Sequence, residues 1–333
     1  MNLVTGAAGH LGNVLVRELL SRGERVRALI LPGEATCSLD GLPVERVEGN
    51  VLELDSLRAA MEDVDVVFHL AALVSITEDK AYLLQQVNVD GTRNVIEAAK
   101  DASVRKLVYT SSIHALERPP IGTPINERLA FDPHNPAGPY DRSKAEASLL
   151  VQGAAQDGLD TSILCPTGVI GPHDYRRSEV GELILSFMQK KVTFLVEGAF
   201  DFVDVRDVAL GQILARDYAQ PGETYILGGE RIELTLLHDL VKKVTGKETK
   251  VLSFPLPVAL VLAPMAELYY KLTKTRPSFT RYSIETVISN SEIQSDKAKS
   301  ELGYEPRSLV SSITDTVRWW WDNIGLTKRS LRL

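Results

Sequence analysis

Cysteine is scarce. Cys37 and Cys165 are the only two in 333 residues, too few for a disulfide framework. Nor do Cys and His cluster at metal-ligand spacing, so no metal is expected. Positive charge is also in deficit: 37 Lys plus Arg face 44 Asp plus Glu, a formal net charge of −7. That argues against a nucleic-acid partner, because phosphate binding needs a basic face. No uninterrupted apolar run reaches the about 20 residues that cross a bilayer. The richest segment, Leu252–Leu272, is cut by Pro255, Pro257 and Pro264 and carries Glu267 and Lys271. It reads as a core helix of a second lobe, ahead of membrane contact or an apolar lid over a lipophilic substrate. The first apolar run begins at residue 2, which leaves no room for a leader peptide and predicts a cytoplasmic protein.

What is present is ordinary for a globular chain, with 44% hydrophobic and 24% charged residues. The first half alternates strand-like and helix-like stretches. Leu3–Thr5, Val26–Leu31, Val44–Val47, Val64–Leu70, Lys106–Thr110 and Thr161–Cys165 read as strands. Leu11–Ser21, Ser56–Met61, Ala81–Ala99 and Tyr140–Ala155 read as helices. Such alternation, with near-continuous apolar strands, implies an α/β fold: a Rossmann-type doubly wound parallel sheet with helices on both faces. Residues 1–170 are expected to form this domain, completed by about 200–228. Residues 171–199 and 229–325 would form a smaller substrate lobe, with 326–333 as a tail. Ser295 is the expected N-cap, and Gly303 the C′ residue, of a short helix. In a last helix, Ser311–Asn323, the adjacent Trp319, Trp320 and Trp321 cannot share one face, so at least one is expected to be exposed.

Two motifs carry chemistry. Met1–Gly12 runs from an apolar stretch into Gly6, Gly9 and Gly12, spaced G-x-x-G-x-x-G, and then into an amphipathic helix. Glycine lets backbone amides approach a pyrophosphate, and the helix dipole favours its charge. Far downstream, Tyr140 and Lys144 lie four apart on one helix face. A free phenol has a pKa of about 10. A neighbouring ammonium is expected to lower it toward the range of a proton shuttle.

With these two, Asp65–Ala72, Asn88–Thr92, Tyr109–Ser112, Pro166–Pro172, Asp201–Asp207 and Lys297–Pro306 fall in order along the chain. Together they resemble the extended short-chain dehydrogenase/reductase (NAD-dependent epimerase/dehydratase) family, and within it dihydroflavonol-reductase-like and 3β-hydroxysteroid-dehydrogenase-like members. The resemblance implies an NAD(P)-dependent oxidoreductase with Ser112, Tyr140 and Lys144 as the catalytic set. Tyr140 would be the acid/base, and Lys144 would also bind the nicotinamide ribose. Ser111 is the rival hydroxyl; aligning the motif with relatives favours Ser112. Cofactor contacts are expected at Gly6, Gly9, His10, Leu11, Gly12, Asn50, Val51, Leu70, Ala71, Ala72, Asn88 and Pro166. Ile113-His114 replaces the Asp-Glu pair of sugar dehydratases, which argues against dehydration. His114, Arg176 and Arg177 are candidate substrate contacts.

No Lys or Arg occurs from Ala28 through Glu45, so a 2′-phosphate would lack a charge-assisted partner unless Arg46 or a distant residue supplies it. NAD is preferred to NADP. The partner is expected to be a small-molecule substrate, a mid-sized, lipophilic carbonyl or alcohol. A nucleotide-sugar epimerase is the alternative; Gly168 and Phe200 stand where such relatives use Asn and Arg to hold a diphosphate. A non-catalytic dinucleotide sensor ranks third. Arg206 reads as a structural ion pair beside Asp204 and Asp207. A homodimer through Ala81–Ala99 and Tyr140–Ala155 is expected, offering Tyr82, Leu83 and Val89 from the first helix and Leu149, Leu150 and Val151 from the second.

Overall fold

The computed structural model describes residues 1–75, 78–273 and 280–330. In chain order the elements are β1 (Asn2–Thr5), α1 (His10–Ser21), β2 (Val26–Ile30), β3 (Glu45–Glu48), α2 (Leu54–Ala60), β4 (Val66–His69), α3 (Ala81–Leu84), α4 (Gly91–Asp101), β5 (Lys106–Thr110), α5 (Pro139–Gln156), β6 (Thr161–Pro166) and β7 (Gly168–Ile170). There follow α6 (Glu179–Gln189), β8 (Val192–Val196), β9 (Ala199–Asp204), α7 (Val205–Tyr218), β10 (Glu223–Leu227), β11 (Glu230–Glu233), α8 (Leu234–Thr245), β12 (Lys250–Phe254), α9 (Leu256–Thr273), α10 (Arg281–Ile288), α11 (Asp296–Leu302) and α12 (Leu309–Ser330).

Seven strands form one sheet in the order β10-β6-β5-β4-β1-β2-β3, every neighbouring pair parallel. The order reverses direction at β1–β4, where a doubly wound sheet opens a crevice at its C-terminal edge. Both faces are dry. Leu3, Val67, Leu107 and Ile163 point into one apolar layer with α2, α4 and α5. Val4, Phe68, Val108 and Leu164 point into the other with α1, α7 and α11. The alternation explains why these strands read as unbroken apolar runs.

A three-stranded sheet, β11-β9-β7, and the parallel pair β12-β8 build the smaller lobe. Its core gathers α6, α8 and the buried Trp319 and Trp320 of α12, while Trp321 is exposed. Phe202–Asp204 belong to β9 in this smaller sheet; the return to the large sheet is made by α7 and β10. Of the tail segment 326–333, residues 326–330 continue α12, and 331–333 lie outside the described residues.

Three local expectations are corrected. The segment read as one helix over Ala81–Ala99 is interrupted by a π-helical turn, Gln85–Asp90, between α3 and α4. The wider turn lets the buried Asn88 side chain reach the loop after β4. Leu252–Leu272 is not a core helix: β12 takes its start, and along α9 only Ala259 and Ala263 are fully buried among the described side chains, while Val258, Val261, Met265, Leu268 and Leu272 are exposed. Ser295 occupies the N-cap position of α11 without a side-chain capping hydrogen bond, whereas Gly303 closes that helix in the left-handed region.

Candidate active site

β1 ends at Thr5, and the chain turns through Gly6, whose φ is +66°. A Cβ on Gly6 would sit 2.8 Å from the Ala71 nitrogen, and one on Gly12 would sit 2.1 Å from the Gly6 carbonyl oxygen. The glycines therefore let the turn close on itself and on the end of β4. α1 begins at His10 after Gly9, and no side chain caps it. The amides of His10 and Leu11, at the start of the helix, are thereby left to face the crevice, a donor set that fits a pyrophosphate. The His10 ring itself is turned to the Pro172 carbonyl, 3.0 Å from Nε2.

The other wall is fixed by buried polar links. Thr5 Oγ1 accepts from the Leu70 and Ala71 amides, both at 3.1 Å, and meets His69 Nδ1 at 2.8 Å. Leu70 and Ala71 are partly buried and Ala72 is exposed at the crevice. Asn88 accepts from the Leu73 amide at 2.8 Å and donates to the Leu73 carbonyl at 3.0 Å and to Ser143 Oγ at 2.9 Å. It thus clamps the loop after β4 to α5, one residue before Lys144. Asn50 Oδ1 accepts from the Leu52 amide at 3.0 Å, leaving one lone pair for an adenine amine. Val51 packs against Gly91, and its carbonyl accepts from Asn94. Pro166 ends β6 in register with Leu227 of β10.

Ser112 follows the C-terminal end of β5, where its Oγ accepts from the His114 amide at 3.2 Å, and Tyr140 stands in the first turn of α5, near enough for the serine to act on the phenol. Ser111 is turned elsewhere: its Oγ lies 2.6 Å from Ser148 Oγ, beneath α5. Lys144 is buried one turn beyond Tyr140; its Nζ donates to the Thr110 carbonyl at 2.6 Å and sits 4.6 Å from the centroid of the Tyr109 ring.

The charge balance differs from the sequence-based expectation. Burial pushes the Tyr140 phenol up to about 12, against a smaller downward pull from Ser112. Burial also brings Lys144 down to about 7. Desolvation dominates because both groups lie in the low-dielectric site, where the ammonium is itself costly to charge. Cys165, in the same apolar surroundings, is raised to about 12.

Next to Tyr140 lies a group that the sequence reading did not assemble. Asp141 is fully buried, 3.0 Å from the Arg118 guanidinium and 3.7 Å from His114 Nδ1. The His114 ring stacks on Phe200, centroids 5.8 Å apart and 14° from parallel, and meets Tyr282 at 6.3 Å. Burial holds the His114 imidazole below its ordinary range, with Asp141 opposing. Asp141 was visible in the sequence between Tyr140 and Lys144; Arg118 and Tyr282 gave no periodic signal and arrive from a loop and from α10. A Cβ on Gly168 would meet the rings of Phe202 and Phe200 at 2.8 and 2.9 Å. Two phenyl rings thus fill the space in which an Asn and an Arg would stand.

The arginines expected at the substrate are engaged with carboxylates of the chain itself. Arg176 pairs with Glu34, in the loop after β2, and Arg177 pairs with Glu182 at 2.9 Å. Arg46 donates to the Leu39 carbonyl at 2.6 Å and contacts Asp40 at 3.3 Å. Arg206 pairs with Asp204 and with Asp315, while Asp207 takes Arg307 instead.

Known proteins resemble this chain along most of its length. Over 322 residues the chain is 38% identical to sterol demethylase protein B of Methylococcus capsulatus, covering 96% of this chain and 97% of that protein. It is 32% identical to a putative dihydroflavonol 4-reductase of Synechocystis, covering 98% and 95%. The crystal structure of gox2253 superposes with a TM-score of 0.85 at 31% identity, covering 97% of this chain and 98% of that one. The dTDP-glucose 4,6-dehydratase DesIV of Streptomyces venezuelae, solved with NAD, shares the fold with a TM-score of 0.80 at 22% identity, covering 99% of each chain. The model of the NAD dependent epimerase/dehydratase family matches residues 2–228, a span that holds the glycine turn, the Asn88 clamp and the Ser112–Tyr140–Lys144 cluster. The chain therefore belongs to the NAD dependent epimerase/dehydratase family.

Proposed function

We propose that the protein is an NAD-dependent oxidoreductase that interconverts a carbonyl and an alcohol on a mid-sized, lipophilic substrate. The observation that carries this reading is Tyr140 placed beside Ser112 and one helical turn from buried Lys144, at the C-terminal edge of β5. Bound NAD supplies or accepts the hydride. Ser112 positions the substrate oxygen and stabilises its developing charge. Tyr140, held protonated at neutral pH by burial, donates the proton that the new alkoxide takes up. This protonation state suits the reductive direction. Lys144 on α5 would hold the nicotinamide ribose. The uncapped start of α1 would hold the pyrophosphate, and Asn88 would brace the loop after β4 behind the nicotinamide.

Two features favour a lipophilic substrate over a nucleotide sugar. Phe200 and Phe202 close the space around Gly168, and Phe200 stacks on His114, which makes the surroundings of the catalytic cluster apolar on this side. Sterol demethylase protein B and the dihydroflavonol reductase-like relative are named for substrates of that kind. Carbonyls, alcohols and nucleotide sugars, each with NADH, NADPH or the oxidised forms, are followed at the nicotinamide absorbance. Reduction of an apolar ketone or aldehyde with NADH supports the reading. Turnover confined to nucleotide sugars replaces it with an epimerase, and binding without turnover replaces it with a sensor.

The exposed Tyr82 and Leu83 of α3 and Leu149 of α5 support a homodimer through these helices. Val89 and Val151, expected to contribute, are buried inside the chain. Light scattering at micromolar concentration separates a dimer from the 36.6 kDa of one chain.

A further inference from the structure

α9 is apolar on the side that it turns to solvent. Its inner face rests on α10, where Ala259 and Ala263 pack with Ile284 and with Val196 of β8. At 100° per residue, Val258, Val261, Met265, Leu268 and Leu272 form a stripe on roughly the opposite side, about 21 Å long. Val261 is 71% exposed, Met265 67% and Leu272 75%. The stripe therefore points away from α10 and cannot serve as the inner wall of the pocket.

The apolar surface continues onto the β8–β12 ribbon. Phe194 pairs with Leu252 in register, so both lie on one face, and both are exposed. Phe194 stacks on Phe254 at 5.4 Å, and Phe254 in turn packs against the base of α9. In a chain of net charge −7, this region is rimmed by cations: Lys190 and Lys191 precede β8, Lys250 pairs with Val192 on the ribbon, and Lys271 flanks the stripe, all exposed. Glu267 is the one acidic side chain within α9, and it accepts from the Arg281 amide. None of the helices, α9 included, is long and apolar enough to cross a membrane among the described residues. An exposed apolar stripe on a helix that does not span, with lysines on the adjoining ribbon and at the end of the helix, suits an element that rests on a negatively charged bilayer surface. A second copy placed stripe to stripe would instead set lysine rim against lysine rim.

We propose that α9 and the adjoining face of the β8–β12 ribbon dock the protein on an anionic phospholipid surface. Tyr282 of α10 touches the His114 ring, so the docked surface lies one helix away from the catalytic cluster. Supply of substrate from the bilayer rests on the lipophilic reading above; the docking itself does not.

The test is flotation of the full-length protein with vesicles of phosphatidylcholine alone or with one third phosphatidylglycerol, without substrate. Binding is expected to the anionic vesicles, and to weaken as salt rises. The doubly substituted Val261→Glu/Met265→Glu is expected to lose it at least tenfold, with its melting temperature unchanged because both sites are exposed. Lys191→Glu and Lys250→Glu are each expected to weaken it about fivefold or more. Failure to bind anionic vesicles at low salt overturns the proposal, as does binding that the double substitution leaves intact. A dimer that Val261→Glu/Met265→Glu converts to monomer, with no vesicle binding by the parent, would assign the surface to a second copy. Activity toward a dissolved carbonyl, measured in parallel, reads the proposed reaction independently of any membrane.

Discussion

The two serines that follow β5 differ in what they touch, and this gives the sharpest residue-scale expectation. Ser112 lies beside Tyr140, whereas Ser111 is bonded to Ser148 under α5. Ser112→Ala is expected to lower kcat about 10²–10³-fold, the usual effect of removing one donor to a developing oxyanion. Ser111→Ala is expected to leave kcat within a few-fold and to lower stability by about 1 kcal/mol through the lost buried link. Steady-state kinetics and melting curves on both variants separate the roles; equal kinetic damage would return the assignment to Ser111. Tyr140→Phe removes the proton donor and little else. Turnover is expected to fall at least about 10²-fold, with the dinucleotide dissociation constant, read by titration of protein fluorescence, held within twofold. Retained turnover would remove Tyr140 from the mechanism.

At the scale of elements, the π-helical turn between α3 and α4 is what connects the cofactor wall to the catalytic helix. Asn88 makes three hydrogen bonds there, two part-buried ones to the Leu73 backbone and a buried one to Ser143. Asn88→Ala leaves the Leu73 amide and carbonyl without this partner, at a cost of about 1–3 kcal/mol for each buried group left unsatisfied. The expected result is a lower melting temperature together with weaker NADH binding. Asn88→Asp keeps the acceptor for the Leu73 amide and should restore part of the stability. Unchanged cofactor affinity in Asn88→Ala would show that the loop does not support the nicotinamide.

For the whole molecule, buried bases set the pH range of stability. His69 is held between Thr5 and Thr92, at 2.8 and 3.0 Å, and burial lowers it to about 3. His173 is lowered to about 4. The unfolded chain protonates these rings near 6.5, before the native state does. Their contribution is therefore complete above that pH and is lost as pH falls toward 4, at about 1.4 kcal/mol per pH unit for His69. Lys144, lowered to about 7, acts in the alkaline direction: the unfolded chain holds its proton up to the ordinary 10.5, so stability rises from pH 7 upward. Cys165, raised to about 12, opposes this above about pH 9, where the unfolded thiol ionises first. Melting temperatures between pH 4.5 and 9.5 are expected to peak on the mildly alkaline side. His69→Gln should flatten the acid limb, and a profile level from pH 6.5 to 4.5 would contradict this account.

Periodicity and turn chemistry alone determined the parallel sheet, the glycine turn and the pairing of Tyr140 with Lys144 on one helix face, because each depends on residues close in sequence. The apolar strands could only be covered on both sides, and the glycines only suit a turn that Cβ atoms would block. The tertiary structure decided whatever depends on residues far apart. It joined Asp141 to Arg118, and His114 to Phe200 and Tyr282, contacts with no common period. It engaged Arg176 with Glu34 and Arg177 with Glu182, removing two cations that the sequence offered to a substrate. It let desolvation raise the Tyr140 phenol, because that effect depends on depth of burial rather than on spacing. It also left the apolar side of α9 uncovered, since hydrophobicity states which residues avoid water but not whether the rest of the chain has a face to meet them.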